Sequence, residues 1–573
     1  MYLKKSRQKN GRIQLSIAEG HYDKETKRTK TVNIETLGYL DVLEKEYDDP
    51  VAHFTAEVAR MNESRIREKA PITVNVDPKA TLAEGTNNRR NFGYVAFSKI
   101  YHELSIDKFV MNRQRYTKAE FNHNSILKLL VYLRLLYPAS KKATHENKDM
   151  IFDKTDFSLD DIYRSLSFFK KHKNSLMLWI HENIKAAYGR DTSLVYYDVT
   201  NYYFEIDKPD EMRRKGISKE HRPNPIVQMG LFIDTNGIPI YYGLFSGNTL
   251  DKQTLIPMMD KILDDYGLGR IIVVADKGVI TGDNIAQTII DGNGYVFSYS
   301  IRGSSKEFKE YVLDENGYTG SNDENGFRMK SRITPRTIHV TNPLTGKKQD
   351  AEVDEKHVVF YSPKYAEKAK RDRAEAVSKA QEYVKYPEKY NHALNYGAKK
   401  YICNLKVDKE TGEILDEVRQ LIYFDEEKLK EEEKYDGYYA IVSSELDESA
   451  EKIIEIYRGL WKIEQSFRVT KSDIEVRPVH LSRQDRIDAH FLICFISLVL
   501  QRVLEMKLDN KHSTSTILES LRKCACSHIE NNYYMFDYYD DVLKDIGMVT
   551  GIDFNKKYMR LIDIRKAIGE TKK

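Results

Sequence analysis

Between Arg270 and Ala275 the chain reads Arg-Ile-Ile-Val-Val-Ala, an apolar and mostly β-branched run with no polar alternation. Such a run marks a strand buried on both faces, and that requires a sheet covered by helices on either side. Its neighbours extend the pattern. Leu194–Thr200 is β-branched and aromatic, as strands prefer. Val227–Ile233 and Ile238–Phe245 follow, separated by Asp234-Thr-Asn-Gly237, a good hairpin turn. Three short-linked strands predict an antiparallel meander. A helix over Lys252–Leu263 leads to the buried strand, and Tyr295–Ile301 supplies a fifth. The order strand-strand-strand-helix-strand-helix-strand predicts an α/β class with a mixed sheet.

Two of these strands carry an acid where an apolar residue is expected. Asp198 interrupts strand one among apolar neighbours, and a buried carboxylate costs several kcal/mol unless it is paired or binds a metal. The competing reading is a turn cap at the strand end, which Thr200-Asn201 allows. Asp276 follows strand four directly and precedes Lys277-Gly278. Carboxyl ends of central strands face the crevice where open α/β sheets do chemistry. The loop between strands one and two offers Lys219, His221 and Arg222 as phosphate-reaching donors. After strand three, Gly247-Asn-Thr249 and Asp251 form a polar cluster that either supports the site or caps the next helix.

A third acid lies far downstream. Ile453, Ile456, Leu460, Ile463 and Phe467 recur three or four apart, as in an amphipathic helix. On one continuous helix, Tyr457, Glu464 and Lys471, seven apart, fall about 20° short of two full turns per step and cover about 10.5 Å each time. A phenol, a carboxylate and an ammonium would then share one face beside the apolar stripe. That set suits metal-assisted phosphoryl transfer, the acid holding a divalent ion and the amine gripping a phosphate. The competing reading is a solvated face with an ordinary Glu464–Arg468 pair worth about 0.2–0.5 kcal/mol.

A length of 573 residues suggests roughly three or four domains. The boundaries expected are a basic β-hairpin plus helix over 1–75 and a helical domain over 91–190, either DNA-end-binding or scaffold. The first half of the core covers 191–300, an insertion 301–436, the second half of the core 437–510, and a helical C-terminal tail 511–573. Pro71–Arg90, polar with two prolines, is a plausible linker. Within the helical domain, Ser125 is the expected cap of a helix ended by Pro138, and one helix is expected over Asp161–Tyr188. The longest apolar run, Phe491–Leu500, is half of the roughly 20 residues a membrane span needs, so it predicts a buried helix and no membrane partner. Met1-Tyr-Leu-Lys-Lys opens on charge, so no signal peptide is expected. Cys403, Cys494, Cys524 and Cys526 show no CxxC spacing, which argues against a zinc site or a disulfide framework and for a cytoplasmic protein. The net charge of +4 says little, but residues 1–30 hold nine Lys/Arg against three acids, 9 − 3 = +6. Basic patches meet phosphate backbones; a solvated hairpin doing nothing specific is the alternative.

Asp198, Asp276 and Glu464, on strand one, strand four and a late helix, resemble the ribonuclease-H-like core of DDE transposases. The chain looks most like bacterial insertion-sequence transposases with a Tyr-x2-Arg-x3-Glu-x6-Lys signature and a mostly β insertion before the last acid. Tyr457, Glu464 and Lys471 match it in type and spacing; the arginine position is Leu460 here, with Arg458 two residues earlier. Tyr196-Tyr-Asp-Val-Thr200, Ser218-Lys-Glu-His-Arg-Pro223 and Val274-Ala-Asp-Lys-Gly278 are similar to that group's motifs too. The resemblance implies that Asp198, Asp276 and Glu464 hold two Mg²⁺ (or Mn²⁺) ions for cut-and-join phosphoryl transfer. It also implies that Tyr457, Lys471 and Arg458 or Arg468 hold the terminal phosphates. The implied partners are double-stranded DNA, as element terminal inverted repeats and target, and a second copy when DNA is bound. A nuclease with the same core but no strand transfer and an inactive transposase-derived DNA-binding protein are the alternatives.

Overall fold

The structure is a computed structural model. It describes all residues except 9–10, 24–27, 70–78, 80, 207, 217–222, 321–325, 343, 388–396, 404–422, 478, 480, 530–531 and 573. The chain separates into two compact units, Met1–Thr86 and Asn87–Lys573. In the first, β1 (Tyr2–Arg7), β2 (Ile13–Asp23) and β3 (Arg28–Tyr39) form a three-stranded antiparallel sheet, followed by α1 (Pro50–Lys69). The expected hairpin is β2–β3. Leu15 and Ile17, on its alternating face, are buried. Of the expected linker, residues 71–78 and 80 lie outside the described residues, and its last two residues, Arg89 and Arg90, begin a short strand, Arg89–Asn91.

The second unit begins with helices: α2 (Tyr94–Glu103), α3 (His123–Leu136), α4 (Lys141–Glu146), α5 (Leu159–Lys171) and α6 (Lys173–Tyr188). Ser125 does not cap α3. Asn122 does, accepting a hydrogen bond from the Ser125 backbone N–H. The single helix expected over 161–188 is two, because His172 leaves the helical region at φ −104°, ψ 10° and ends α5.

Next come β4 (Leu194–Tyr203), β5 (Ile226–Ile233), β6 (Pro239–Ser246), α7 (Leu255–Tyr266), β7 (Ile272–Ala275), α8 (Gly282–Ile290) and β8 (Gly294–Tyr299). The β5–β6 turn closes through Gly237 N–H to the Asp234 carbonyl at 2.9 Å, with Gly237 at φ +82°, a conformation open to glycine. The expected meander is present: β5 runs antiparallel to both β4 and β6, while β7 lies parallel to β4 and to β8.

The segment after β8 joins the same sheet. β9 (Arg328–Thr341) and β10 (Lys348–Tyr361) form a long hairpin, α9 (Pro363–Lys385) follows, and β11 (Tyr438–Ser443) pairs with both β10 and β8. The result is a nine-stranded mixed sheet ordered β9-β10-β11-β8-β7-β4-β5-β6, with the two-residue strand Thr319–Gly320 on the β9 edge. After it come α10 (Ala450–Arg458), α11 (Trp461–Arg468) and α12 (Gln484–Lys507). By length and composition α12 is apolar enough to cross a membrane, yet its apolar window is wholly buried within the protein. The main hydrophobic core runs from Phe92 to Ile568 and takes in the N-terminal helices, the sheet and α12, while Ala376, Ala380 and Tyr383 of α9 belong to a separate small cluster. The C-terminal segment, expected to be helical, also contains strands. Ala525–His528, Tyr533–Phe536 and Tyr558–Arg560 pair into a sheet with Arg89–Asn91. The aromatic and apolar alternation at 533–536, with Tyr534 and Phe536 buried, is a strand signal inside a charged region.

Candidate active site

Tyr197 on β4 pairs with Ala275 on β7 in a parallel register. Asp198 and Asp276 are therefore the next residues on adjoining strands, projecting to the same face at the level where β7 ends. Asp198 is half-buried and its Oδ1 accepts the Val199 N–H at 2.7 Å. Asp276 is exposed, and its Oδ1 accepts a hydrogen bond from the Ser298 hydroxyl on β8. Ser298 Oγ in turn accepts the Lys277 N–H at 2.9 Å, so one side chain fixes both the acid and the turn behind it.

The face carrying the two acids is covered by α10 and α11. Tyr196, two residues before Asp198, packs so closely on Gly459 that a methyl group there would lie 2.0 Å from its hydroxyl oxygen. Lys462 Nζ is 5.7 Å from the same ring. Further along β4, the Tyr202 and Thr470 hydroxyls are 2.8 Å apart. Asp198 thus lies between two β4 residues that both contact the segment carrying Glu464.

That segment is not one helix. The expected apolar stripe is buried throughout, but the helix breaks at Gly459-Leu460. There Leu460 N–H bonds the Tyr457 carbonyl and Ile463 N–H the Leu460 carbonyl in i,i+3 fashion. At the other end Ile474 N–H reaches the Val469 carbonyl at 2.9 Å, a wide i,i+5 turn. Tyr457, Glu464 and Lys471 consequently belong to three successive pieces, and their even spacing does not give one shared face. Tyr457 and Glu464 still line one cavity of about 770 Å³ with Arg458, Trp461, Tyr365 and Tyr439. Lys471 lies in the wide turn, its Nζ 5.9 Å from the Tyr202 ring centre. Arg458 stacks on Phe327 at 5.2 Å. Arg468 is exposed and forms no ion pair with Glu464 among the described residues. Lys219, His221 and Arg222 lie outside the described residues.

Tyr457 connects Asp276 to this cavity. Its hydroxyl is 3.2 Å from that of Tyr439. Burial pushes its pKa far above the ordinary phenol range and so keeps it protonated, with the neighbouring Tyr439 and the Asp276 carboxylate adding to the effect. Ser298 and Tyr439 are the residues that sequence reasoning missed. Ser298 had a signal: it is the one small hydroxyl within the aromatic run Tyr295-Val-Phe-Ser-Tyr299.

Among the described residues no three His, Cys, Asp or Glu side chains stand close enough together to hold one metal ion. The donor chemistry nonetheless fits a hard divalent cation. The acids offer only oxygen, and neither Asp276 nor Glu464 is neutralised by a Lys or Arg ion pair among the described residues.

Residues 203–500, more than half of the chain, match the family model described as a transposase DDE domain. The chain belongs to the DDE transposase family. The match takes in Asp276, Glu464 and Lys471 and begins five residues after Asp198. No curated protein matches the chain. DDE transposases act on DNA and generally use divalent metals, and the mixed α/β architecture with its large sheet is consistent with that family's fold.

Proposed function

We propose that this transposase carries out cut-and-join phosphoryl transfer at the ends of a mobile element, on a ribonuclease-H-like core of β4–β8. Asp198, Asp276 and Glu464 are its metal-holding acids. The observation that carries this reading is the register that makes Asp198 and Asp276 neighbours on parallel strands, beneath the segment bearing Glu464. Two carboxylates on one face repel unless a cation lies between them, and their oxygen-only donors suit Mg²⁺ or Mn²⁺.

Asp198, Asp276 and Glu464 would hold the two divalent ions. Bound divalent ions supply the Lewis acidity that activates water or a DNA 3′-hydroxyl and stabilises the leaving oxygen. The chain's own residues do the rest. Ser298 holds Asp276 in one rotamer. Tyr457, held protonated by burial, offers a hydrogen-bond donor beside the acids. Arg458 and Arg468 provide guanidinium groups, and Lys471 an ammonium, for the DNA phosphates. A DNA-bound dimer that pairs two element ends belongs to the same proposal, as does the insertion-sequence group inferred from the Tyr457, Glu464 and Lys471 spacing.

The test is incubation of the full chain with Mg²⁺ and DNA carrying the element's own ends. Joined products are expected. Nicks without joining would replace the reading by a nuclease, and retention without cleavage by a DNA-binding protein. Asp198→Asn, Asp276→Asn and Glu464→Gln should each abolish cleavage while end binding stays within about threefold. Near-normal cleavage by any one of them removes that residue from the set.

A further inference from the structure

Away from the three acids, the loop after the wide turn closes over a second cavity of about 520 Å³ that no step above uses. It lies between the α3–α4 junction, the residues Glu475, Arg477, Val479 and Leu481, and α12. Its lining carries Arg134, Lys141, Arg477 and His490 against one acid, Glu475. Glu475 is exposed, so its carboxylate is at the solvent rim, whereas Arg134 and Lys141 are 6% and 5% exposed.

Among the described residues, the buried Arg134 and Lys141 have no carboxylate ion-pair partner. Lys141 Nζ has one hydrogen-bond partner among the described residues, His490 Nδ1 at 3.3 Å. The other ring nitrogen, Nε2, is 3.1 Å from the Val476 carbonyl. A carbonyl only accepts, so Nε2 carries the proton and Nδ1 accepts from the ammonium. Arg134 spends its terminal nitrogens on the Ala139, Ile474 and Glu475 carbonyls, and its buried Nε has no partner among the described residues. These bonds hold the loop in place, with Glu475 at φ +49°, but they do not neutralise the guanidinium. A buried ammonium beside a buried guanidinium is costly unless an anion joins them. Burial and the Arg134 charge push the Lys141 amine down to about 7. An anion in the cavity would reverse that strain.

Size and position point to the anion's class. The volume falls within the ~300–1,000 Å³ of ligand pockets, and guanidinium with ammonium is the donor pair that recognises phosphate. Arg477 also stacks on Tyr203 at 5.7 Å. Tyr203 is the last residue of β4, five beyond Asp198, and so about 17 Å along the strand at 3.3–3.4 Å per residue. A DNA strand leaving the acids comes within reach of the cavity after a few nucleotides.

We propose that this cavity is a phosphate site in which Lys141, Arg134 and Arg477 grip a phosphate group. The DNA backbone is one source of that group and free phosphate the other. The DNA source rests on the transposase reading; the anion chemistry does not.

The experiment uses the full chain and Lys141→Gln, with two readouts: the salt dependence of binding to a fixed DNA duplex, and the shift in melting temperature with inorganic phosphate. Removing one phosphate contact lowers the slope of log K against log salt by about 0.9. A fall of that size in Lys141→Gln, restored in Lys141→Arg, supports the site with DNA as its source. An unchanged slope, with a phosphate-induced stabilisation of wild type that Lys141→Gln loses, supports it with free phosphate as the source. If slope and phosphate shift both match wild type, the proposal is overturned. Should Lys141→Gln fail to fold, Arg477→Gln, at a half-exposed position, is read by the same criteria. Failure of the transposase reading would show as absent cleavage in every protein with the phosphate shift intact. Failure of the pocket would leave cleavage and its three acids untouched.

Discussion

Asp276 is held by Ser298 from the neighbouring strand, and the Ser298 oxygen simultaneously receives the Lys277 N–H at 2.9 Å. The acid proposed to bind metal is thus oriented by a residue that binds nothing itself. Partners of this kind fix ligand direction, and losing one costs about 10–100-fold in metal affinity or activity. Ser298→Ala should therefore raise the Mg²⁺ concentration for half-maximal cleavage by about tenfold or more, with DNA binding unchanged. A metal titration of cleavage checks it. An unaltered midpoint would mean that Asp276 needs no such anchor.

The helical region predicts an acid-sensitive fold. His123 is buried, stacked on Phe168 at 4.0 Å, with Nδ1 2.8 Å from the Ser165 hydroxyl. Burial, reinforced by the charge of His172, pushes it down to about 4. His181, beside Arg190, is pushed down to about 3, chiefly by burial. A histidine that stays neutral when folded but titrates near 6.5 when unfolded makes the unfolded chain bind more protons between those values. Stability should therefore rise with pH from about 4 to 6.5 and level off above. Urea unfolding at pH 5 and pH 7 should differ by about 2 kcal/mol or more from these two groups. His123→Phe should shrink the difference; an equal difference in the variant would locate the effect elsewhere.

How much of this was legible in the sequence follows from where the information resides. The five core strands were readable because strand identity is carried by local apolar pattern, and the Asp198–Asp276 register follows once β4 and β7 are adjacent. The break at Gly459 was not. No local pattern marks it, and spacing arithmetic assumes an unbroken helix; the glycine there meets Tyr196, far away in sequence, which approaches too closely for any side chain. Likewise nothing local to residues 328–361 says that their hairpin continues the central sheet, because β11, its partner there, comes much later. Ser125 lost the capping role to Asn122 by three residues, an error of boundary that does not alter the element.

Arg190 and Asp234 form an ion pair at 2.8 Å with both side chains 1% exposed. Asp234 also accepts the Asn236 and Ile238 N–H groups, so the pair ties the β5–β6 turn to the residues following α6. Burial raises the Asp234 carboxyl and lowers the Arg190 guanidinium, each offset by the partner's charge. Removing one partner strands the other, at a cost of about 3–5 kcal/mol. Arg190→Met should lower stability by that amount, while Arg190→Met with Asp234→Asn should recover part of it. Denaturant curves for both variants decide this. Equal losses in the single and double variants would show that desolvated charge is not what destabilises.

At Gly459 the backbone keeps right-handed helical angles, φ −61° and ψ −14°, although its hydrogen bonding tightens to i,i+3 between the two helices, so glycine is not needed there for its conformational freedom. Alanine should even favour the helix by about 0.5–1 kcal/mol. Against this stands the Tyr196 hydroxyl, which would lie 2.0 Å from an added methyl carbon. Overpacking of that kind costs about 1–3 kcal/mol, and it would lift the segment carrying Glu464 away from the strand carrying Asp198. Gly459→Ala should therefore lower the melting temperature and reduce cleavage more than it reduces DNA binding. Tyr196→Phe in the same protein removes the nearest atom but leaves two ring carbons that would lie 2.5 and 2.9 Å from the methyl, so it should restore only part of both. A double-mutant cycle in melting temperature and cleavage rate tests the coupling. If the two changes add independently, the close approach of helix to strand at this point does not position Glu464.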